Sequence, residues 1–426
     1  MAHRIERVTE NTLIVGIDIA KRIHWAQITD SRGVPLCKPI KVENTADGFD
    51  FLSRKIGTIQ SEQNLSKVML GFEPSGHYWR TLAWYLKTED ICLLGVNPYH
   101  VKQLKELEDN AQTKSDKKDA LVIAHLIRDG RYFDVYMPEQ EYADLRILRR
   151  HRDHLGDRRK GAMNHVIAVL DEYFPEYEVI GFQVGTISAR SILRATPFPS
   201  DILQFDAEQL RQAWLSHGKR KNSCLSRSLA MQFIESAKTS IGITSGITAA
   251  RIRLNNLLDI LDLLDQQIKE CEQEMDKLMA SLDIAQYLTS VPGVGTVTAA
   301  GFIAETGDLS RFDDWKQIRK MAGLNLVEQS SGQHRGKTRI SKRGRPALRC
   351  IIYIIGDRGM LVSPEMQMYY QYLRHRPVNQ LKHQQAVLAV GLKLMRIMFH
   401  VVKYKDYYDP AKSLGEERLS QIHSVA

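Results

Sequence analysis

Four acids stand where a phosphoryl-transfer site needs them. Asp18 closes the apolar run LIVGID (13–18), Glu73 closes the run that begins at Val68, and Asp116 and Asp119 lie three apart in TKSDKKDALVIAHLI. In a helix, a spacing of three puts both carboxylates on one face. Four carboxylates sharing a crevice repel at neutral pH unless a cation neutralises them, which predicts bound Mg²⁺. Two such ions, roughly 3.5–4 Å apart, would clamp the entering and leaving oxygens of an in-line displacement at phosphorus. Taken singly, each of these acids could be a helix cap or a surface charge, a reading with some weight for Asp116 near a helix N-terminus. Their joint placement argues for a site. A second candidate is the stretch Gln329-Ser330-Ser331-Gly332, where a serine hydroxyl sits on a turn just ahead of a basic segment that attracts phosphate. By spacing alone, an SSG is more often only a loop.

Strand ends are where an α/β sheet projects side chains into a crevice. LIVGID reads as a buried strand and HWAQIT (24–29) as a second; the turn Asp30-Ser31-Arg32-Gly33 leads into a third, VPLCKPIKVE (34–43). A helix follows, N-capped by Thr45 with Phe49, Leu52 and Ile56 on one face. Then come a strand (68–73), a helix (about 77–87), a strand (91–97) and further helix. The order βββαβαβα, with acids ending the first and fourth strands, is that of a ribonuclease H-like sheet. Lys21, His77, Tyr78 and Trp79 flank the crevice, where ordinary packing accounts for them equally well.

After Pro138 the pattern turns helical. Leu145 to Phe174 is basic and amphipathic and is stopped by Pro175, while 176–245 carries weaker signals, with Pro197 and Pro199 marking a turn. From Leu254, apolar residues fall at 254, 257, 261, 264, 268, 271, 275, 278 and 282, the alternating steps of a heptad seam. This predicts a coiled-coil arm whose partner is either the helix at 145–174 or a helix of another subunit. In LTSVPGVGTVTAAGFIA (288–304), Gly293 and Gly295 make a helix-hairpin-helix-like turn able to bring backbone amides to a DNA phosphate. The rest, to about Tyr408, is helix-rich.

The 59 Lys+Arg against 50 Asp+Glu leave a net charge of +9, concentrated in two segments. One holds Arg146, Arg149, Arg150, Arg158, Arg159 and Lys160; the other holds Arg335, Lys337, Arg339, Lys342, Arg343 and Arg345 and has no acid. The first is nearly as well read as a solvated helix face. The second, glycine-rich and without counter-charge, points to nucleic acid. A hydrophobic content of 43% excludes disorder as the main state. The apolar run 388–402 is broken by Lys393 and Arg396, and the first ten residues lack an apolar signal core, so a cytoplasmic protein without a membrane span is expected. Five scattered cysteines without zinc spacing read as reduced thiols.

Taken together, VGIDIAK, FEPSGHYW, TKSDKKDA, SVPGVGTVTAAGFIAETGDLSRF, AGL and SSG followed by ISKRGRPALR resemble the DEDD transposases of the insertion sequence 110 family. The motifs occur in the family's order over about residues 13–175 and 285–405. The resemblance implies a RuvC-like domain at 1–140, a helical coiled-coil region at 141–284, a mainly helical transposase domain at 285–410 and a tail at 411–426; an insertion at about 176–245 departs from the family's pattern. It carries the four acids onto Asp18, Glu73, Asp116 and Asp119, and the family's serine onto Ser331, with Ser330 as the other choice. It further implies a covalent phosphoserine link to DNA, a serine of one subunit completing a metal site on another, and a tetramer around donor and target double-stranded DNA. A structured bridge RNA transcribed from the element would pair with both DNAs. Two other readings stand beside it: a hydrolytic endonuclease like a Holliday-junction resolvase, which uses the same acids and needs no serine, and a nucleic-acid-binding scaffold whose acids are structural.

Overall fold

A computed structural model describes residues 2–89, 91–108, 116–181, 183–217, 225–328, 330–331, 334–336, 338–416 and 419–420, in two units that divide between residues 137 and 138. The first unit contains α1 (Ala2–Ile5), β1 (Thr12–Asp18), β2 (Ile23–Thr29), β3 (Ile40–Glu43), α2 (Ala46–Gln63), β4 (Lys67–Phe72), α3 (Trp79–Tyr85), β5 (Ile91–Val96), α4 (Pro98–Glu108), α5 (Asp116–Arg128) and β6 (Tyr132–Asp134). Its sheet runs β3-β2-β1-β4-β5-β6. β1, β4 and β5 are parallel; β2, β3 and β6 are antiparallel to their neighbours. This is the ribonuclease H-like topology expected from the strand order, with two differences. The third strand is short, because the residues before Ile40 make only a bridge from Pro35 to Thr29, proline having no N–H to give a ladder. The sixth strand, three residues long, offers no alternation from which to read it.

Leu13, Val15 and Ile17 of β1 face α2 and α3; Ile14 faces α5. Thr45 caps α2 as its sequence suggests, its hydroxyl accepting from Gly48 N at 3.2 Å, and Phe49, Leu52 and Ile56 are buried beneath it. Beside them His24 is fully buried. Its Nδ1 accepts from the Ala20 amide at 3.2 Å, and its Nε2 has no hydrogen-bond partner among the described residues. Burial holds this imidazole below its ordinary pKa, against weaker upward pulls from Asn44 and Ala20. The folded state therefore favours the neutral ring. Stability is fully present above the unfolded value of about 6.5 and is lost as pH falls from there through the lower folded value, because the unfolded chain binds more protons over that range. Urea melts from pH 8 to pH 5 are expected to show that fall, and His24→Gln to flatten it. An unchanged slope in the variant would assign the acid sensitivity to other groups.

The second unit opens on two long helices, α6 (Gln140–Tyr173) and, after α7 (Ile187–Ala195), α8 (Pro199–Ile202), α9 (Ala207–His217) and α10 (Arg227–Lys238), α11 (Ile247–Ala280). The partner of the predicted arm is thus the basic helix of the same chain. Arg152 meets Glu272 and, further along α6, Arg159 meets the earlier Asp265, so the pair is antiparallel. The seam differs from a heptad. Ala250, Leu254, Leu258, Leu261, Leu264, Cys271, Met275 and Met279 are buried, whereas Leu257 and Leu278 are only partly so. That stripe keeps the 3.6-residue period of a straight helix rather than 3.5. α7 to α10 add a wider covering than a single partner helix would: with one end of the pair they enclose Phe174, Tyr177, Phe198, Trp214 and Phe233. Trp214 Nε1 donates to Thr196 Oγ1 at 2.8 Å, satisfying a buried polar atom in that core.

Beyond α11 lie α12 (Ala285–Thr289), α13 (Thr296–Thr306), α14 (Trp315–Met321), the two-residue strands β7 (Leu326–Val327), β8 (Ser330–Ser331), β9 (His334–Arg335) and β10 (Arg339–Ile340), then α15 (Pro346–Val362), α16 (Pro364–His375), α17 (His383–Tyr404) and α18 (Pro410–Ser413). α13, α15 and α17 supply most of the buried side chains of this core, α15 packing against the other two. α17 is the one described helix long and apolar enough to cross a bilayer, but Val387, Val390, Leu394, Met395 and Met398 are buried within the protein. Its apolarity serves packing.

Candidate active site

The alternation of β1 decides where its last acid points. Gly16 shares a face with Ile14, and a β-carbon on it would lie 2.1 Å from Ala120 O and 2.5 Å from Ala124 N, so α5 rests directly on the strand. Asp18, two residues on, lies on that same face. β4 repeats the pattern. Val68, Leu70 and Phe72 face α2 and α3, Met69 faces α5, and a β-carbon on Gly71 would meet Ile127 of α5 at 2.5 Å. Carried one residue further, Glu73 is on the α5 side. The parallel register pairs Ile17 with Phe72, which sets Asp18 and Glu73 side by side at the C-terminal ends of adjacent strands.

Asp119 immediately precedes the Ala120 carbonyl that touches Gly16, and it is 9% exposed. Its Oδ2 is held in an ion pair by Lys105 Nζ of α4. Asp116 opens α5; its side chain lies outside the described residues. Among the described residues no group of three or more His, Cys, Asp or Glu side chains stands close enough to hold a metal ion. By donor type, hard carboxylate oxygen, and by common face of the sheet, Asp18, Glu73 and Asp119 fit magnesium. Trp79, by contrast, stacks on Phe72 at 5.4 Å in the opposite layer, and belongs to packing.

The serine stretch lies in the second unit, near two short antiparallel strand pairs. Leu326 and Val327 pair with Ile340 and Arg339; beyond them Ser330 pairs with Arg335 and Ser331 with His334. Leu326 is 71% exposed, whereas its partner Ile340 packs against the core of this unit. Lys337 lies outside the described residues, as do the side chains of Ser331 and Arg335. Arg339, Lys342 and Arg343 are exposed. Arg345 pairs with Glu305 at 3.6 Å; burial holds its guanidinium below its usual pKa, Glu305 opposing that and Arg150 adding to it. Arg150 and Arg345 line a cleft of about 280 Å³ with Asp153, His154, Glu305 and Pro346.

The basic helix is less free than its sequence suggests. Arg149 pairs with Asp153 at 3.1 Å, Arg159 with Asp265, and Lys160 with Asp157 at 3.5 Å. Arg146 is partly buried and also engaged; Arg158 is exposed. In the helix-hairpin-helix-like turn, Gly293 (φ +79) approaches α15, where a β-carbon would lie 2.5 Å from Gly359 N. Gly295 caps α13 and faces open space. To these the structure adds Lys105, the partner of Asp119, and the backbone pairing of His334 with Ser331. The first gave no signal; His334 stands three after Ser331 across a Gly-containing pair, a spacing that suggests a hairpin.

The sheet order, with acids ending β1 and β4 and on the helix packed against them, defines a ribonuclease H-like phosphoryl-transfer fold. A family model for the DEDD transposases of IS110, described as "Transposase", matches residues 15–175, and one described as "Transposase IS116/IS110/IS902 family" matches residues 285–371. The chain is 26% identical over 398 residues to the "Insertion element IS116 uncharacterized 44.8 kDa protein" of Streptomyces clavuligerus, covering 93% of this chain and 96% of that one. To the "Transposase for insertion sequence element IS1111A" of Coxiella burnetii it is 25% identical, over 83% and 79% of the two chains. The chain belongs to the IS110/IS116/IS902 family of insertion-sequence transposases. It is accordingly a DNA-recombining enzyme acting by phosphoryl transfer, and the family implies a magnesium-dependent site.

Proposed function

We propose that this transposase cuts and rejoins DNA through a covalent phosphoserine at Ser331, using Asp18, Glu73, Asp116 and Asp119 to hold two magnesium ions. A structured bridge RNA transcribed from the element would select donor and target DNA. The observation that carries the serine assignment is the short antiparallel pair in which Ser331 stands opposite His334 and Ser330 opposite Arg335, ahead of the basic segment. An imidazole is a suitable acceptor for a hydroxyl proton. Bound magnesium would supply charge neutralisation at the attacked phosphate and at the oxygens that enter and leave.

Ser331 Oγ forms a bond to phosphorus as the bond from phosphorus to a deoxyribose oxygen breaks. The hydroxyl proton passes to His334, and the departing oxygen leaves as a hydroxyl after taking up a proton. Because one phosphoester replaces another, a second DNA hydroxyl can reverse the step and join a new strand. Arg335, Lys337, Arg339, Lys342 and Arg343 would hold nucleic-acid backbone beside the serine, while sequence choice is left to base pairing, so no base-reading helix is required. The serine and the carboxylates belong to different units of the chain, which suits a tetramer in which one subunit's serine serves another's carboxylates.

The test incubates the protein with Mg²⁺, labelled element-junction DNA and RNA transcribed from the element's flank, and looks for a protease-sensitive protein–DNA adduct. The expected result is an adduct with the wild type, none with Ser331→Ala, and none without RNA. Free cleaved ends without an adduct would replace the serine reading with hydrolysis of the resolvase kind; an adduct indifferent to RNA would remove the guide.

A further inference from the structure

Asp119 is a carboxylate almost wholly removed from water, and such a group is costly unless a positive charge accompanies it. The structure provides one from a separate element: Lys105 Nζ on Asp119 Oδ2. Val101 and Leu104 of α4 pack into the same layer as Val122, Ile123 and Leu126 of α5, which brings the lysine stem to the start of α5. The lysine side chain is 37% exposed, against 12% for the aspartate. Its ammonium is thus at the edge of water and, on a flexible stem, able to swing into solvent while its methylenes stay packed.

We propose that Lys105 is a displaceable counter-ion, which neutralises Asp119 until a divalent cation takes the carboxylate from it. The inference rests on reading Asp119 as one of the metal-holding acids. Lysine and magnesium seek the same oxygen and repel one another, so they compete: the ion pair keeps α5 seated on the strand without metal, at the expense of weaker metal binding. A residue that only braced the fold would stabilise the protein equally with and without magnesium. One that helped to shape the metal site would strengthen metal binding.

The experiment uses the full chain without DNA, titrated calorimetrically with MgCl₂ or MnCl₂ and melted with and without the metal. Lys105→Gln, which keeps the stem and removes the charge, is expected to melt lower than wild type in chelator, to bind metal about tenfold more tightly and to gain more thermal stability from it. Lys105→Arg, which keeps the charge, should not gain affinity. Unchanged or weaker metal binding by Lys105→Gln would overturn the proposal, as would a loss of stability that metal does not restore. Asp18→Asn separates the two levels of inference. If it binds metal as the wild type does, the four-carboxylate reading fails and the Lys105 proposal with it; if it loses metal while Lys105→Gln is unchanged, only the proposal fails.

Discussion

Asp18→Asn is expected to leave DNA binding intact and to slow strand cleavage by about 10³-fold, or roughly 4 kcal/mol of transition-state stabilisation. The substitution keeps size and shape, and the backbone of Asp18, paired with Trp25 across β2, has no reason to move. What changes is one formal charge beside Glu73, at the point where neighbouring parallel strands end together. An amide oxygen binds a hard divalent cation less well than a carboxylate and does nothing for its charge. The assay is single-turnover cleavage of labelled junction DNA, alongside a gel-shift measurement of affinity. Mixing Asp18→Asn with Ser331→Ala adds a second outcome: if serine and carboxylates come from different subunits, co-assembled protein regains cleavage that neither variant has alone. Cleavage within tenfold of wild type by Asp18→Asn would remove this residue from the chemistry.

Asp18 and Glu73 were legible because a buried strand advertises itself. LIVGID contains no polar residue until its end, and the acid that breaks it is the first residue with somewhere to go. The topology followed from strand order alone, and α2 from Thr45 and its apolar spacing. Lys105 was not legible, because nothing in VKQLKELE distinguishes one lysine from the next; its partner lies fourteen positions on, and only the packing of α4 against α5 selects it. The basic run on α6 hides its partners in a related way. Only Asp153 and Asp157 stand among its cations in sequence, yet Glu272 and Asp265, more than a hundred residues later, lie against Arg152 and Arg159. A charge run records what a helix carries, not what it faces.

The middle of the chain resisted for another reason. Apolar steps of three and four over a long helix fit a heptad and a straight helix almost equally; the difference between Leu257 and Leu258, or Leu278 and Met279, is decided by what covers the helix. α7 to α10 widen that cover, and each is too short, the longest being twelve residues, to show a strong period of its own. Arg190, almost fully buried against Asp262 and Asp265, is the clearest mark that this layer is built onto α11. It is also where an arginine reads least like a core residue.

Gly16→Ala is expected to destabilise the protein by about 3 kcal/mol, at the upper end of what overpacking costs, whereas Gly57→Ala in α2 should stabilise it by roughly 0.5–1 kcal/mol, as removal of a helix-interior glycine does. The chemical change is the same methyl group. At Gly57 it meets nothing within 4 Å; at Gly16 it would lie 2.1 Å from the Ala120 carbonyl oxygen and 2.5 Å from the Ala124 amide nitrogen. Those are backbone atoms of one helix, so no side chain can swing aside and α5 itself has to retreat from β1. Asp119, next to Ala120, goes with it. Cleavage should therefore fall with stability in Gly16→Ala and remain unchanged in Gly57→Ala, which urea denaturation and the cleavage assay read directly. If Gly16→Ala proved as stable and as active as wild type, α5 could not lie this close to the first strand, and the shared face on which Asp18, Glu73 and Asp119 depend would be lost with it.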